Sequence, residues 1–222
     1  MELRELFPVW NQLTESQRSE LQNAAVLRRF KKGARLHGGS ADCVGLLLVS
    51  SGVLRVFTSS DEGREITLYR LFERDMCLFS ASCMLHSIQF ELYVEAQEDA
   101  EVYLIPPMTY KKLTSESLAA ANYTNELMAS RFSDVMFLLD QILNRSFDAR
   151  LAALLLEESS IAQSNELHLT HDQIARHLGS AREVVTRMLR HFQAEGLAET
   201  GRGVVLIRDA ARLERLAGAA QR

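Results

Sequence analysis

The sequence of 222 residues has no uninterrupted apolar run near the roughly 20 residues that a membrane-spanning helix needs. At the N-terminus, Glu2, Arg4 and Glu5 interrupt the apolar residues, so the pattern of a cleaved leader is absent. These two absences predict a cytoplasmic protein. Cysteine is scarce as well, and three cysteines in a chain without a leader argue against a framework of disulfides.

Positive charge is also in short supply, because 29 acidic residues outnumber 25 lysines and arginines. The excess of acid is confined to residues 1–144, whereas residues 145–222 carry 11 arginines against 10 acidic residues. A polyanionic partner therefore suits only the C-terminal part, and specific contacts from a dimer must supply much of its affinity. With 47% apolar residues the chain can bury a sizeable core, and its length favours two domains.

The stretch Leu169–Arg208 predicts a helix, a tight turn, a second helix and a hairpin in that order. Thr170 with Gln173, and Ser180 with Glu183, have the spacing of a capping box, which predicts two helix starts. The second helix has an apolar stripe at helical spacing, made by Val185, Met188, Leu189 and Phe192. Glycines mark the turn and the end of the second helix, at Gly179 and Gly196.

Away from that stripe, the second helix carries side chains that suit the major groove, namely Arg182, Glu183, Thr186, Arg187 and Arg190. Arginine forks onto guanine O6 and N7, glutamate accepts from cytosine N4, and threonine can bond a base edge or contact a thymine methyl. Two apolar runs flank Gly201-Arg202-Gly203 and predict a hairpin that forms a wing. We therefore predict a module that binds double-stranded DNA, with further contacts from Thr170, Ser180 and Arg202.

The segment Ser180–Arg187 resembles the recognition helix of the Crp/Fnr family, bacterial transcription regulators related to the cyclic-AMP receptor protein. In both, a small capping residue precedes Arg-Glu and a hydroxyl residue precedes the last arginine. Upstream, the phrase VSSGVLRVFTSSDEGREITLYRL is similar to the family's cyclic-nucleotide-binding domain. The resemblance implies that Arg182, Glu183, Thr186 and Arg187 contact bases, and that RNA polymerase is a partner.

Short apolar runs separated by turn residues fill the chain between Phe30 and Ile105, and they predict an antiparallel β-roll or jelly roll. The runs are Val44–Val49, Val53–Phe57, Ile66–Leu71, Leu92–Ala96 and Val102–Ile105. The predicted fold class is α+β. We expect a cyclic-nucleotide-binding-like sensor domain at 1–113, a long dimerisation helix at 114–143 and a winged helix-turn-helix domain at 144–222.

Residues 118–142 carry an apolar seam with the alternating spacing of three and four residues that favours a helix packed against its own copy. The seam consists of Leu118, Ala121, Asn125, Met128, Phe132, Val135, Leu139 and Ile142. A parallel homodimer would space two recognition helices about 34 Å apart, which suits a palindromic operator. The alternative is a single helix that packs only on its own barrel.

The resemblance implies a ligand pocket in the barrel, where cyclic-nucleotide-binding members hold ribose and phosphate with a Gly-Glu pair and an Arg-Ser pair. The matching positions here are Leu78-Phe79 and Phe90-Glu91. Residues 75–110 contain no lysine or arginine, and a phosphate needs donors and a cation, so we exclude cyclic AMP as the effector. An apolar or cationic ligand, or an apolar barrel that binds nothing, stays open. The candidate effector pocket comprises Cys77, Leu78, Phe79, Cys83, Phe90 and Glu91.

Cys77 and Cys83 lie six residues apart at the edge of this pocket, where they could be small buried apolar residues or a thiol switch. A four-cysteine iron–sulfur cluster is excluded by count, because only Cys43 could join them. Haem is disfavoured because Phe79 and His86 do not match the spacing of the carbon-monoxide-sensing branch. Zinc at Cys77, Cys83 and His86 would lack a fourth ligand, so we predict no metal.

We predict a DNA-binding regulator that is not an enzyme. Two other classes of protein are alternative interpretations of the sequence. A cupin-type barrel that binds a small molecule needs clustered histidine ligands, but His37 and His86 are the only histidines before residue 168. A regulatory subunit could use a winged helix to contact protein instead of DNA.

Overall fold

A computed structural model describes residues 1–38, 43–84 and 91–218. The chain forms two compact units, one made of Met1–Ser59 and Thr67–Val135, the other of Ser60–Ile66 and Met136–Arg222. We call them the sensor unit and the DNA unit. In the described part of the chain, no helix is both long enough and apolar enough to cross a membrane.

The sensor unit consists of two antiparallel four-stranded sheets with flanking helices, ordered β1-β8-β3-β6 and β2-β7-β4-β5. Its elements are α1 (Leu3–Leu6), α2 (Glu15–Ala24), β1 (Val26–Phe30), β2 (Arg35–Gly38), β3 (Leu46–Ser51), β4 (Leu54–Ser59), β5 (Glu65–Leu71), β6 (Met76–Cys77), β7 (Tyr93–Ala96), β8 (Ala100–Ile105), α3 (Pro107–Glu116) and α4 (Leu118–Asn144). Short 3-10 segments lie at Trp10–Gln12 and Phe79–Met84.

The predicted fold class is confirmed, since antiparallel sheets are followed by a long helix and a winged helix-turn-helix. The five predicted apolar runs correspond to β3, β4, β5, β7 and β8. The sequence missed β1, β2 and β6. β1 has four exposed residues and β6 only two residues in all, so neither shows the alternation that predicts a half-buried strand.

Strand β3 is buried on both faces, which explains its uninterrupted apolar sequence. Leu46 and Leu48 point into one cluster with residues of the flanking helices, such as Leu21 and Tyr110. Leu47 and Val49 point to the opposite face, into the core between the two sheets. The sensor unit therefore has two apolar layers that share β3.

Strand β1 lies at one edge of its sheet and pairs with β8. It is exposed, and Val26 and Leu27 are its apolar residues at the surface. Among the basic residues that follow, Arg29 bonds Glu101 at 2.6 Å and Lys31 bonds Asp99 at 2.6 Å, both across the β1–β8 pair.

The DNA unit comprises the end of α4, then α5 (Phe147–Ala162), β9 (Glu166–Leu167), α6 (His171–Leu178), α7 (Arg182–Ala194), β10 (Ala198–Gly201), β11 (Val204–Ile207) and α8 (Ala210–Gly218). The strands form one antiparallel sheet ordered β10-β11-β9. A single apolar cluster, which includes Leu151, Ile174, Leu189 and Ile207, joins the four helices to this sheet. It fixes α6 and α7 as one rigid module.

Candidate functional site

The start of α6 is fixed by Thr170, as its sequence predicts. The backbone N–H of Gln173 donates to Thr170 Oγ1 at 3.2 Å, and the backbone N–H of Thr170 donates to Gln173 Oε1 at 2.8 Å. The two bonds form a complete capping box, so two of the free donors at the helix start are satisfied. Thr170 itself is exposed, and its hydroxyl also donates to Gln173 Oε1 at 2.9 Å.

The turn between α6 and α7 depends on Gly179, which has a φ of +63° in the left-handed region. The Arg150 guanidinium donates to the Leu178 carbonyl and anchors the end of α6 to α5. The second predicted capping box is wrong, because α7 is capped by Ala181 with no side-chain bond. The physical reason is that Ser180 belongs to the end of α6, where its backbone N–H donates to the Ala175 carbonyl at 3.0 Å.

Helix α7 has a buried face and an exposed face, as the apolar stripe predicts. Val185, Leu189 and Phe192 are buried in the core of the DNA unit. The opposite face exposes charged side chains, namely Arg182, Glu183, Arg187 and Arg190. Among the residues that the structure describes, no carboxylate lies within ion-pair distance of these three arginines. Their charges are therefore available to a polyanion.

Thr186 is half-buried, and two hydrogen bonds fix its hydroxyl. The hydroxyl donates to the Arg182 carbonyl at 2.9 Å, and His171 Nδ1 lies 2.8 Å from Thr186 Oγ1. His171 was missed by the sequence analysis. Burial lowers the pKa of His171 below its ordinary value, and the nearby charges of Arg182 and Arg190 lower it further.

The wing is the β10–β11 hairpin, whose register pairs Gly201 with Val204. Gly203 has a φ of +73°, which a glycine adopts without strain in this tight turn. Arg202 is exposed beside it. A Cβ on Gly203 would contact Thr170 Cγ2 at 3.9 Å, so the wing tip lies next to the start of α6. The wing, the start of α6 and the exposed face of α7 thus border one surface of the DNA unit.

Most of the predicted seam on α4 is exposed, although all of its residues except Asn125 are apolar. Leu118 is 77% exposed, Phe132 68% and Leu139 44%. Met128 is half-buried and packs against the helix-side core of the sensor unit. The remaining predicted interface positions, Asn125, Val135 and Ile142, are exposed. Exposed apolar stripes of this length are typical of surfaces that bind a partner.

The predicted effector-pocket residues are distributed over different surroundings. Cys77 is buried in the core between the sheets, which Phe79 also contacts, whereas Leu78 is buried in the helix-side core. Glu91 is exposed and accepts a hydrogen bond from the Tyr93 hydroxyl at 2.7 Å. Phe90 and the side chain of Cys83 lie outside the described residues.

A cation that the sequence analysis did not anticipate reaches this region from α4. Arg131, whose side chain is 11% exposed, lies 3.0 Å from Asp134 and 3.4 Å from Asp75. Its guanidinium also lies 4.7 Å from the centre of the Tyr69 ring. Because residue 131 is 56 positions from Asp75, a count of basic residues over 75–110 could not find it. We call Asp75, Arg131 and Asp134 the Arg131 cluster; it carries one positive and two negative formal charges.

The cysteines behave differently from one another. Cys43 is disulfide-bonded, a bond that the sequence analysis did not predict when it argued against a framework of disulfides. Cys77 carries a free thiol that is fully buried, and burial raises its pKa. A raised pKa keeps Cys77 as the unreactive thiol.

The chain is similar in sequence and in structure to known proteins. A model of the Crp-like helix-turn-helix domain matches residues 149–216. A crystal structure from Eubacterium rectale, assigned to the Crp/Fnr family of transcriptional regulators, is 54% identical to this chain with a TM-score of 0.94. The similarity covers 96% of this chain and 99% of that one, so it extends well beyond the helix-turn-helix.

Two relatives are more distant. The cyclic AMP receptor protein of Thermus thermophilus is 29% identical over 78% of this chain and 79% of its own length. The transcriptional activator protein FnrA of Stutzerimonas stutzeri is 26% identical over 87% of this chain and 81% of its own length. Both similarities span most of each chain.

Proposed function

This chain belongs to the Crp/Fnr family of transcription regulators, and from that premise we propose that it binds a palindromic operator as a homodimer, under the control of an effector other than cyclic AMP. That it is a DNA-binding regulator follows from its family. The observation that carries the operator proposal is the exposed face of α7, where three arginines stand clear of the core and form no ion pair in the described structure.

In this proposal the side chains of α7 have distinct roles. Arg187 forks onto a guanine, and Glu183 accepts from a cytosine. Arg182 and Thr186 contact neighbouring base edges. The phosphate backbone is held by the side chains at the margins of this surface, which are Thr170, Ser180, Arg190 and Arg202.

The homodimer forms through α4, whose exposed apolar residues meet those of a second copy. Phe132 and Leu118 are more than two-thirds exposed in the single chain. Removing these apolar side chains from water would be favourable. Pairing α4 with its own copy covers them and places two α7 helices around one two-fold axis. RNA polymerase is the further partner that we expect from the family resemblance.

The effector acts at the sensor unit and is not a cyclic nucleotide. The guanidinium of Arg131 is already engaged by Asp75 and Asp134, and the cluster has an excess of one negative charge. A cyclic phosphate placed there would meet carboxylates and lose its hydration without compensation. The net negative charge of the Arg131 cluster, which lies near the buried Cys77, favours a cationic or apolar ligand over an anionic one.

The operator proposal is tested by selecting duplexes from a random-sequence library with the purified full-length protein. We expect the selected duplexes to share two inverted half-sites about one helical turn apart. Footprinting should then protect both half-sites, and light scattering should give one dimer per duplex. A selected pool without inverted half-sites, or one monomer per duplex, would contradict the proposal.

A further inference from the structure

The histidine at the start of α6 is placed where it can contact DNA together with α7. His171 is the first residue of α6, directly after the exposed Thr170, and it is half-buried. Its ring bonds Thr186, a residue of the exposed face of α7. His171 therefore lies within the surface that the proposed operator covers.

The hydrogen bonds of Thr186 decide which ring nitrogen of His171 is free. A threonine hydroxyl has one hydrogen, and Thr186 uses it to donate to the Arg182 carbonyl. The 2.8 Å bond to His171 then requires that Nδ1 carries a hydrogen and donates to Thr186 Oγ1. The neutral ring is left with a lone pair on Nε2. Protonation at Nε2 adds a second donor and a positive charge without breaking the bond to Thr186.

Charged groups face His171 from several elements. On α7 these are Arg182 and Arg190, both of which disfavour the protonated ring. On α6 itself Asp172 is adjacent, but it is paired with Arg176 at 3.1 Å. The wing tip, where a Cβ on Gly203 would lie 3.9 Å from Thr170 Cγ2, carries the exposed Arg202. Upstream of α6, His168 faces Glu166 at 3.8 Å. The charges that lower the pKa of His171 are therefore positive, and a nearby phosphate would oppose their effect.

We propose that His171 is a DNA-contacting residue that takes up a proton when the protein binds its operator, so that operator affinity rises as the pH falls. The proposal rests on the DNA binding of α7 described above and adds a linkage between that binding and pH. A phosphate beside Nε2 neutralises the field of Arg182 and Arg190 and accepts a charge-assisted hydrogen bond from the protonated ring.

The sign of the effect follows from the two states of His171. In the free protein its pKa lies below the ordinary value, so the ring is neutral at neutral pH. In the complex the phosphate raises the pKa. The gain in affinity begins as the pH falls through the pKa of the complex and is complete below the pKa of the free protein. A difference of one pKa unit corresponds to about a tenfold gain for each protomer.

The test compares wild-type protein with His171→Asn, which keeps a neutral donor near Thr186 but cannot titrate in this range. The probe is the duplex selected by the wild-type dimer, and its dissociation constant is measured from about pH 8 to pH 5.5 at fixed ionic strength. We expect wild-type affinity to rise several-fold towards acid and that of His171→Asn to stay level. Calorimetry in two buffers of different ionisation enthalpy, at a pH midway between the two pKa values, should show about half a proton taken up per protomer for a difference of one pKa unit, and none with His171→Asn.

The matched control is His191→Asn, because His191 is an exposed histidine on the neighbouring helix α7 and the change should leave the pH dependence intact. Unchanged thermal melting of His171→Asn confirms that the module is folded. Wild-type binding that is independent of pH, or an equal rise in His171→Asn, would overturn proton uptake at His171 while operator binding stands. A wild-type protein that selects no duplex would overturn both.

Discussion

The arginines of α7 and the arginine of the Arg131 cluster differ in exposure and in pairing. On α7, Arg182, Arg187 and Arg190 are exposed, and in the described residues no carboxylate pairs with them. In the Arg131 cluster a single arginine is largely buried and lies between two carboxylates. An unpaired exposed cation is available to a polyanion, whereas the charge of a paired and largely buried one is already engaged within the protein. Exposure and pairing, more than the number of basic residues, separate a binding surface from a structural one.

The largest effect is expected from Phe132→Asp on α4, the helix that runs from the sensor unit into the DNA unit. A carboxylate in each half of an apolar interface separates the dimer, and DNA binding is lost with it, by roughly 100-fold or more because one half-site remains. Sedimentation and gel shift measure both effects on one sample. Ser133→Asp adds the same charge one position away from the seam and should keep the dimer. An unchanged dimer mass for Phe132→Asp would mean that the homodimer forms elsewhere.

Arg187→Ala tests the unpaired side of the comparison. Loss of the forked contact should weaken operator binding by about 1–3 kcal/mol for each half-site and relax the preference at one guanine. The measurement is a titration with the selected duplex and with variants at each position. Arg215→Ala removes an exposed arginine from α8 and serves as the control. Equal losses in the two variants would indicate that only the overall charge matters.

Thr170→Ala and Ser180→Ala test whether the hydroxyl of each residue caps a helix. Thr170→Ala removes the bonded cap of α6 and should lower the free energy of unfolding by about 1 kcal/mol. Ser180→Ala should change it by much less, because the hydroxyl of Ser180 does not cap α7. Chemical denaturation of the full-length protein compares the two. A similar loss for Ser180→Ala would show that α7 depends on this hydroxyl after all.

The smallest effect tests the paired side. Millimolar cyclic AMP or cyclic GMP should leave both the melting temperature and the operator affinity unchanged, because Arg131 is engaged and the cluster is negative overall. Differential scanning fluorimetry and calorimetry are sufficient. As a positive control for the method, the selected duplex should raise the melting temperature. A saturable signal with either nucleotide would refute the assignment of the pocket.

The DNA unit could be predicted from the sequence in more detail than the sensor unit. The reason is that the patterns of the DNA unit involve residues close together in the sequence. The capping box of Thr170 and Gln173 spans three residues, and the buried stripe of α7 repeats within one helix. Both patterns are visible in a short window. The failure at Ser180 is also local, since a serine just before a helix can belong to the turn of the preceding one.

Long-range contacts account for what could not be predicted. Arg131 meets Asp75 across 56 residues, and no spacing rule joins a helix to the residue that precedes a two-residue strand. His171 and Thr186 are 15 residues apart on different helices, so only the packing of α6 on α7 brings them together. The disulfide of Cys43 also depends on loop geometry that the spacing of three cysteines does not reveal.

The exposed strand β1 has a consequence for the behaviour of the protein in concentrated solution. The edge of a sheet offers free backbone donors and acceptors on which another chain can grow as an added strand. Here the apolar pair Val26-Leu27 is followed at once by Arg28 and Arg29, and the loop after it adds Lys31 and Lys32. Arg29 and Lys31 are paired with Glu101 and Asp99, so two approaching copies would bring the charges of Arg28 and Lys32 face to face. The strand thereby carries its own protection against aggregation, and neutralising Arg28 would weaken that protection without touching the fold or the operator surface.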